Sequence, residues 1–283
     1  MMLAKHIAAL SLLLFSQMAI SHDRYLLPSH TMLSGTEAES VSLISSISND
    51  PFHPDMPLGD NGNGQAPKQM TALFNILQSV VIGPDGKEVT GPEWMAFARS
   101  SSASYELDQP GTYRFILSQP QTPMTTFKTA DGKPGRIFGP KPAIPEGASD
   151  IVRRVITSQT ETFISKQNIN NASFTPRGKY LELSGETHPN DLFADEDVNF
   201  SLTLNGKAVP AGTKVMITEG GTRYRNQRNE IQTATNNRGE FSFRFPKAGM
   251  YLLKATLDVP GDNKSHIDMY HHYLFVTLEV FPQ

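Results

Sequence analysis

The residues best placed to do chemistry are histidines. His22 stands in Ala19-Ile20-Ser21-His22-Asp23-Arg24-Tyr25-Leu26-Leu27-Pro28. A histidine that begins a chain offers an α-amine and an imidazole, both of which shed protons near neutrality. Amine and Nδ1 then close a chelate ring on one ion. One further imidazole completes a nitrogen-rich site suited to nickel, cobalt or copper rather than to magnesium or calcium. His30 follows eight residues later, and Thr187-His188-Pro189-Asn190-Asp191 sets His188 and Asp191 on one short turn, where a carboxylate can orient the ring. The predicted metal set is His22 by amine and ring, then His188 or His30, with Asp191 as the orienting group. The plain alternatives are a solvent-facing His30 and a His188 that plugs an Asx-type turn through hydrogen bonds.

His22 comes first only if a leader is removed. Lys5 precedes an apolar block from Ile7 to Phe15 broken by Ser11 alone, and Ala19 and Ser21 supply the small residues of a cleavage site after Ser21. Residues 1–21 are therefore predicted to be a secretory signal peptide, too short in its apolar part to span a bilayer, which takes about 20 residues. The expected location is periplasmic. Hydrophobic content of 38% and charged content of 19% suit a soluble globular chain, and no second apolar run approaches membrane length. The formal charge of −3 argues against nucleic acid, which demands a basic face. With no cysteine, disulfides, thiolate metal sites and cysteine nucleophiles are excluded. There is no Gly-x-Ser-x-Gly, His-Glu-x-x-His or Gly-x-x-x-x-Gly-Lys motif, so an enzyme is not expected.

The elements that must position these residues read as strands. Arg24 to Leu27 forms a first one, and Val41, Leu43 and Ile47 mark one face of a second. Residues 49–69, dense in Pro, Gly, Asn and Asp, form a long loop holding His53 and a plain turn at Asp60-Asn61-Gly62-Asn63-Gly64. Ser104 to Leu117 predicts strand, tight turn, strand, with Tyr113, Phe115 and Leu117 on one face. Residues 122–147, rich in Pro, Gly and Lys, suggest an extended surface excursion, and the β-branched residues of 150–166 favour a strand. Beyond a boundary near 175, Val198–Leu204, Lys214–Thr218, Thr233–Thr235, Glu240–Phe245, Gly249–Ala255 and His272–Phe281 continue the pattern. His271 and His272, adjacent in a strand, point to opposite faces. The loop from Gly220 to Arg228, with Arg223, Arg225 and Arg228, predicts an exposed hairpin tip, with a carboxylate-bearing partner as the next reading. Pro110-Gly111-Thr112-Tyr113 and Ala248-Gly249-Met250-Tyr251 occupy equivalent turn-strand positions in the two halves. The expectation is an all-β chain of two tandem immunoglobulin-like or prealbumin-like β-sandwich domains, over 22–175 and 176–283.

His22 to Ser29, Thr187 to Leu192, Gly220 to Arg225 and Ala248 to Tyr251 together resemble a family of exported bacterial proteins of unknown function, commonly labelled the periplasmic component of a cobalt or nickel uptake system. The resemblance covers nearly the whole mature chain. It departs from the family at Arg24-Tyr25, where members usually carry an aromatic pair. The resemblance implies a nickel- or cobalt-binding protein that hands its metal to a membrane transporter. The second half is also similar to prealbumin-like and carboxypeptidase-regulatory sandwich domains, which mostly bind or brace. Two alternatives stand beside the metal reading: a metal-free binding or structural module, and a copper oxidase with an amino-terminal histidine brace.

Overall fold

The computed structural model describes residues 22–261 and 266–283; the predicted leader, residues 1–21, lies outside them. The first half runs β1 (Asp23–Pro28), β2 (Met32–Leu33), β3 (Glu39–Ser48), β4 (Met56–Pro57), one helical turn α1 (Thr71–Phe74), β5 (Gln78–Ile82), β6 (Glu88–Thr90), β7 (Met95–Ala96), β8 (Ser101–Leu107), β9 (Gly111–Lys128), β10 (Pro134–Phe138) and β11 (Ser149–Lys166). The second adds β12 (Leu181–Gly185), β13 (Asp197–Leu204), β14 (Lys207–Ala208), β15 (Lys214–Glu219), β16 (Ile231–Ala234), β17 (Glu240–Arg244), β18 (Gly249–Pro260) and β19 (Met269–Val280). The chain is all-β, as its patterning predicts. Among the described residues no helix is long and apolar enough to cross a membrane.

Two small sheets flank a ten-stranded one. The first small sheet is β1-β3-β8-β7 with β4 on β3, and the second is β12-β13-β14 with β17 on β13. The large sheet runs β16-β15-β18-β19-β11-β9-β5-β6, with β10 on β9 and β2 on β11. It crosses from one half of the chain to the other through a parallel pairing of β11 with β19, Arg154–Thr162 against Met269–Thr277. Strand alternation then assigns its faces. On one face Tyr113, Phe115, Leu117 and Ile164 pack with Leu26, Val41, Leu43 and Leu107 of the first small sheet. On the other, Phe163, Tyr251, Leu253, Leu274 and Val276 pack with Leu181, Val198, Phe200 and Leu202 of the second. The two sandwiches therefore lie on opposite faces of one shared sheet. Each buried Leu, Val or Phe contributes about 1.5–3 kcal/mol to this arrangement.

The equivalence of the two glycine-tyrosine turns is structural. Tyr113 donates its hydroxyl to the Gln109 carbonyl at 3.2 Å and Tyr251 to that of Lys247 at 2.9 Å, each reaching four residues back. Burial pushes both hydroxyls up to about 12. Gly111 has φ +118, and a Cβ there would meet Asn170 Nδ2 at 2.6 Å and Pro84 Cβ at 2.7 Å, so the turn requires glycine.

Residues 122–147 depart from the expectation of a wandering excursion. β9 continues through Lys128 and turns back as β10, whose Pro134–Phe138 pairs with Lys128–Met124. Pro120 and Gln121 fall in the register shift between Ile156 and Ser158 of β11, so a residue without an N–H sits at a bulge, where none is needed.

Arg114 shows what covering both faces entails. It alternates with Tyr113 and Phe115, and a one-sided sheet would leave it in water; here the second sandwich buries it completely. Its Nε and Nη2 donate to Glu161 at 2.9 Å each, and Glu182 lies 3.7 Å away. Glu182 in turn accepts the backbone N–H groups of Arg177, Gly178 and Lys179 at 3.0, 2.8 and 3.1 Å. Removing one member of such a network strands the others without compensation. Arg114→Ala is expected to lower the unfolding free energy by about 3–5 kcal/mol, read from urea denaturation at pH 7; a loss below about 1 kcal/mol would show that the network does not hold the halves together.

Candidate functional site

His188 is buried against the second core, its ring edge-on to Phe174 at 5.6 Å and Phe163 at 6.4 Å. The Asn190 backbone N–H donates to its Nδ1 at 3.0 Å, which leaves the ring proton on Nε2, facing the Asn170 carbonyl at 3.1 Å. Both nitrogens are thus engaged by the chain's own backbone. Burial depresses the imidazole to about 4, against smaller opposing pulls from the Asn170 hydrogen bond and the Asp191 carboxylate. Asp191 itself is exposed. The residue that does most in this turn is Asn190, which was not singled out from sequence: its Nδ2 donates to the Phe163 carbonyl at 3.1 Å and its Oδ1 accepts from Ser165 Oγ at 3.0 Å.

His22 and His30 are both exposed and lie beyond opposite ends of β1, whose six residues span roughly 17 Å. His30 faces Ser29 Oγ at 3.3 Å. Asn190 also reaches the Thr31 carbonyl at 3.4 Å, so His188 belongs to the His30 end. The structure therefore does not gather His22, His30, His188 and Asp191 around one point, because an extended strand separates the first from the rest. Among the described residues no three His, Asp or Glu side chains converge as a metal site requires. His271 and His272 part as expected, His271 pairing with Asp258 at 2.7 Å and His272 with Thr157 Oγ1 at 2.7 Å.

The arginine-rich loop is a clasp rather than a free tip. Arg225 donates to the carbonyls of Glu219 and Gly220 at 2.6 Å, Arg228 at 2.9 Å and Gln227 at 3.0 Å. Arg223 contacts the His53 ring, and Thr222 Oγ1 donates to Asp50 at 2.7 Å, so part of the 49–69 loop docks here. Arg228 reaches the Asn49 carbonyl at 2.6 Å and Asp23 at 3.2 Å. Asp23, buried, also holds Lys254 at 2.8 Å, which fastens the start of β1, and with it His22, to the second half of the chain. Tyr224 projects from the loop, at 88% exposure.

A cleft of about 440 Å³ opens where β9, β10 and β11 extend beyond the residues of either core. Gly139 leaves β10 with its N–H on the Pro123 carbonyl at 2.9 Å. Residues 140–148 then cross back to β11, and Pro140, Pro142 and Pro145 keep them from forming another strand. Lys141, Arg153, Arg154 and His266 line the cleft beside Met124, Ile144 and the prolines; no carboxylate among the described residues does. Arg154 lies near Tyr273, whose hydroxyl is raised above the usual tyrosine value by burial. Arg24 completes this basic strip: it donates to Gln119 Oε1 at 2.7 Å, and burial lowers it to about 10.

Residues 19–258 match the family model described as Domain of unknown function (DUF4198). No curated protein compared with the chain matches it. Among solved structures, similarity extends to the D0-D1 domain of intimin, at 10% identity over 89% of this chain and 96% of that one with a TM-score of 0.21. A DUF3823 family protein from Bacteroides uniformis is similar at 10% identity over 93% of this chain and 100% of that one, with a TM-score of 0.24. No catalytic family is indicated by these matches.

Two outcomes follow from this geometry. In a proton NMR titration the His188 ring should remain neutral until the pH nears 4. Because its folded value lies below the ordinary one, its contribution to stability is complete above about 6.5 and is lost as pH falls towards 4; His188→Gln should flatten that acid limb relative to wild type. Asp23→Ala, which leaves Lys254 and Arg228 without their shared carboxylate, should cost on the order of 2 kcal/mol and accelerate amide exchange along β1. Unchanged exchange there would show that the clasp does not hold the strand.

Proposed function

We propose, from the premise that the chain belongs to the DUF4198 family, that it is an exported, non-catalytic binding module. The observation that carries this reading is the engagement of His188, the histidine of its most pointed motif, by backbone groups through both ring nitrogens. A base or ligand needs a lone pair or proton directed at its substrate, and this ring has neither to spare. Arg225 and Arg228 are likewise bonded within the chain. Export is supported by the Lys5, Ile7–Phe15 and Ala19/Ser21 pattern.

A second reading, a nickel or cobalt carrier that passes its metal to a membrane transporter, is favoured by one observation. The Asp23 clasp holds the neighbouring His22 in place at the surface, where its amine and ring would be available after cleavage. A copper-binding histidine brace would in addition need an imidazole opposite His22, and His30 and His188 belong to the other end of β1.

The readings separate on titration of nickel, cobalt and copper into protein cleaved by its own export pathway, beside a variant with one alanine inserted before His22. The module reading expects the same weak binding in both. Tight binding that the insertion abolishes would establish the carrier instead.

A further inference from the structure

We infer that the cleft on the β9–β11 arm is a binding site for a small aliphatic carboxylate, an inference that rests on the binding-module reading. Its charged side chains are all basic. Arg154 is half-buried, and no described residue forms an ion pair with it. The planar fork of arginine fits a carboxylate through two parallel hydrogen bonds. Lys141 adds a second charge from the crossover, and its exposed side chain is free of the strand ladder. Asp268, which follows the lining residue Ile267, already accepts the Arg153 backbone N–H at 2.7 Å.

Much of the rest of the cleft is apolar. Met124 contributes from β9, and Pro140, Pro142 and Ile144 from the crossover. A ligand that satisfied only the charges, such as free phosphate, would leave this wall against water, whereas an aliphatic tail covers it. The volume of about 440 Å³ falls within the roughly 300–1,000 Å³ of small-molecule sites. Proline fixes the backbone of the crossover, so little chain entropy is lost when a ligand enters.

The test is isothermal titration of octanoate, octanol and inorganic phosphate into the full exported chain and into its Arg154→Gln and Lys141→Gln variants. Octanoate should bind one to one, at least tenfold more tightly than octanol or phosphate, and at least tenfold more weakly to Arg154→Gln. Absence of saturable octanoate binding, affinity unchanged in both variants, or phosphate binding as tight as octanoate would each overturn the assignment. Should Arg154→Gln melt early, Lys141→Gln, altered only on the exposed crossover, decides. Metal titration on the same samples keeps the outcomes distinct: a tight terminal metal site would remove the module reading, and failed octanoate binding would remove only the cleft assignment.

Discussion

The parallel pairing of β11 with β19 is the constraint on which the molecule depends. Parallel neighbours cannot be joined by a tight turn, and here the connection between them contains nearly all of the second sandwich. β11 must therefore serve two cores at once: Ile164 faces the first and Phe163 the second. A strand buried on both faces cannot alternate apolar and polar side chains in the ordinary way. Gln159, Glu161 and Lys166 of β11 are accordingly fully buried, and partners from other strands must satisfy them.

The Arg114, Glu161 and Glu182 network is the consequence. It draws on β9, β11 and β12, and so it can form only when both halves are folded against the shared sheet. Asn190 serves the same end with neutral groups, joining the 187–191 turn to Phe163 and Ser165 of β11. Asp23 does so on the opposite side, between Lys254 and Arg228. Most of the polar residues that draw attention in the sequence are used in this way, as ties between segments distant along the chain. Arg154 stands apart, since the shared sheet carries it past both cores to the cleft, where no described residue forms an ion pair with it.

Local order determined much of the outcome. Val41, Leu43 and Ile47 fall on one buried face because strand alternation has a period of two, and Gly111 with Tyr113 and Gly249 with Tyr251 mark equivalent corners because only glycine suits the turn and only tyrosine reaches back across it. The absence of cysteine likewise needs no coordinates to be read. Tertiary structure alone decided the rest. Alternation around Tyr113 records which face is apolar but not whether a second sandwich covers the other, so Arg114 reads as exposed. Pro123 reads as loop because the strand that carries it is held in place by Val155 of β11, about thirty residues away. His188 reads as a ligand because its ring nitrogens meet Asn170 and Asn190 only once the turn has closed. A hydrogen-bonding group declares its chemistry in the sequence, but its partner is set by which distant segments the fold brings beside it.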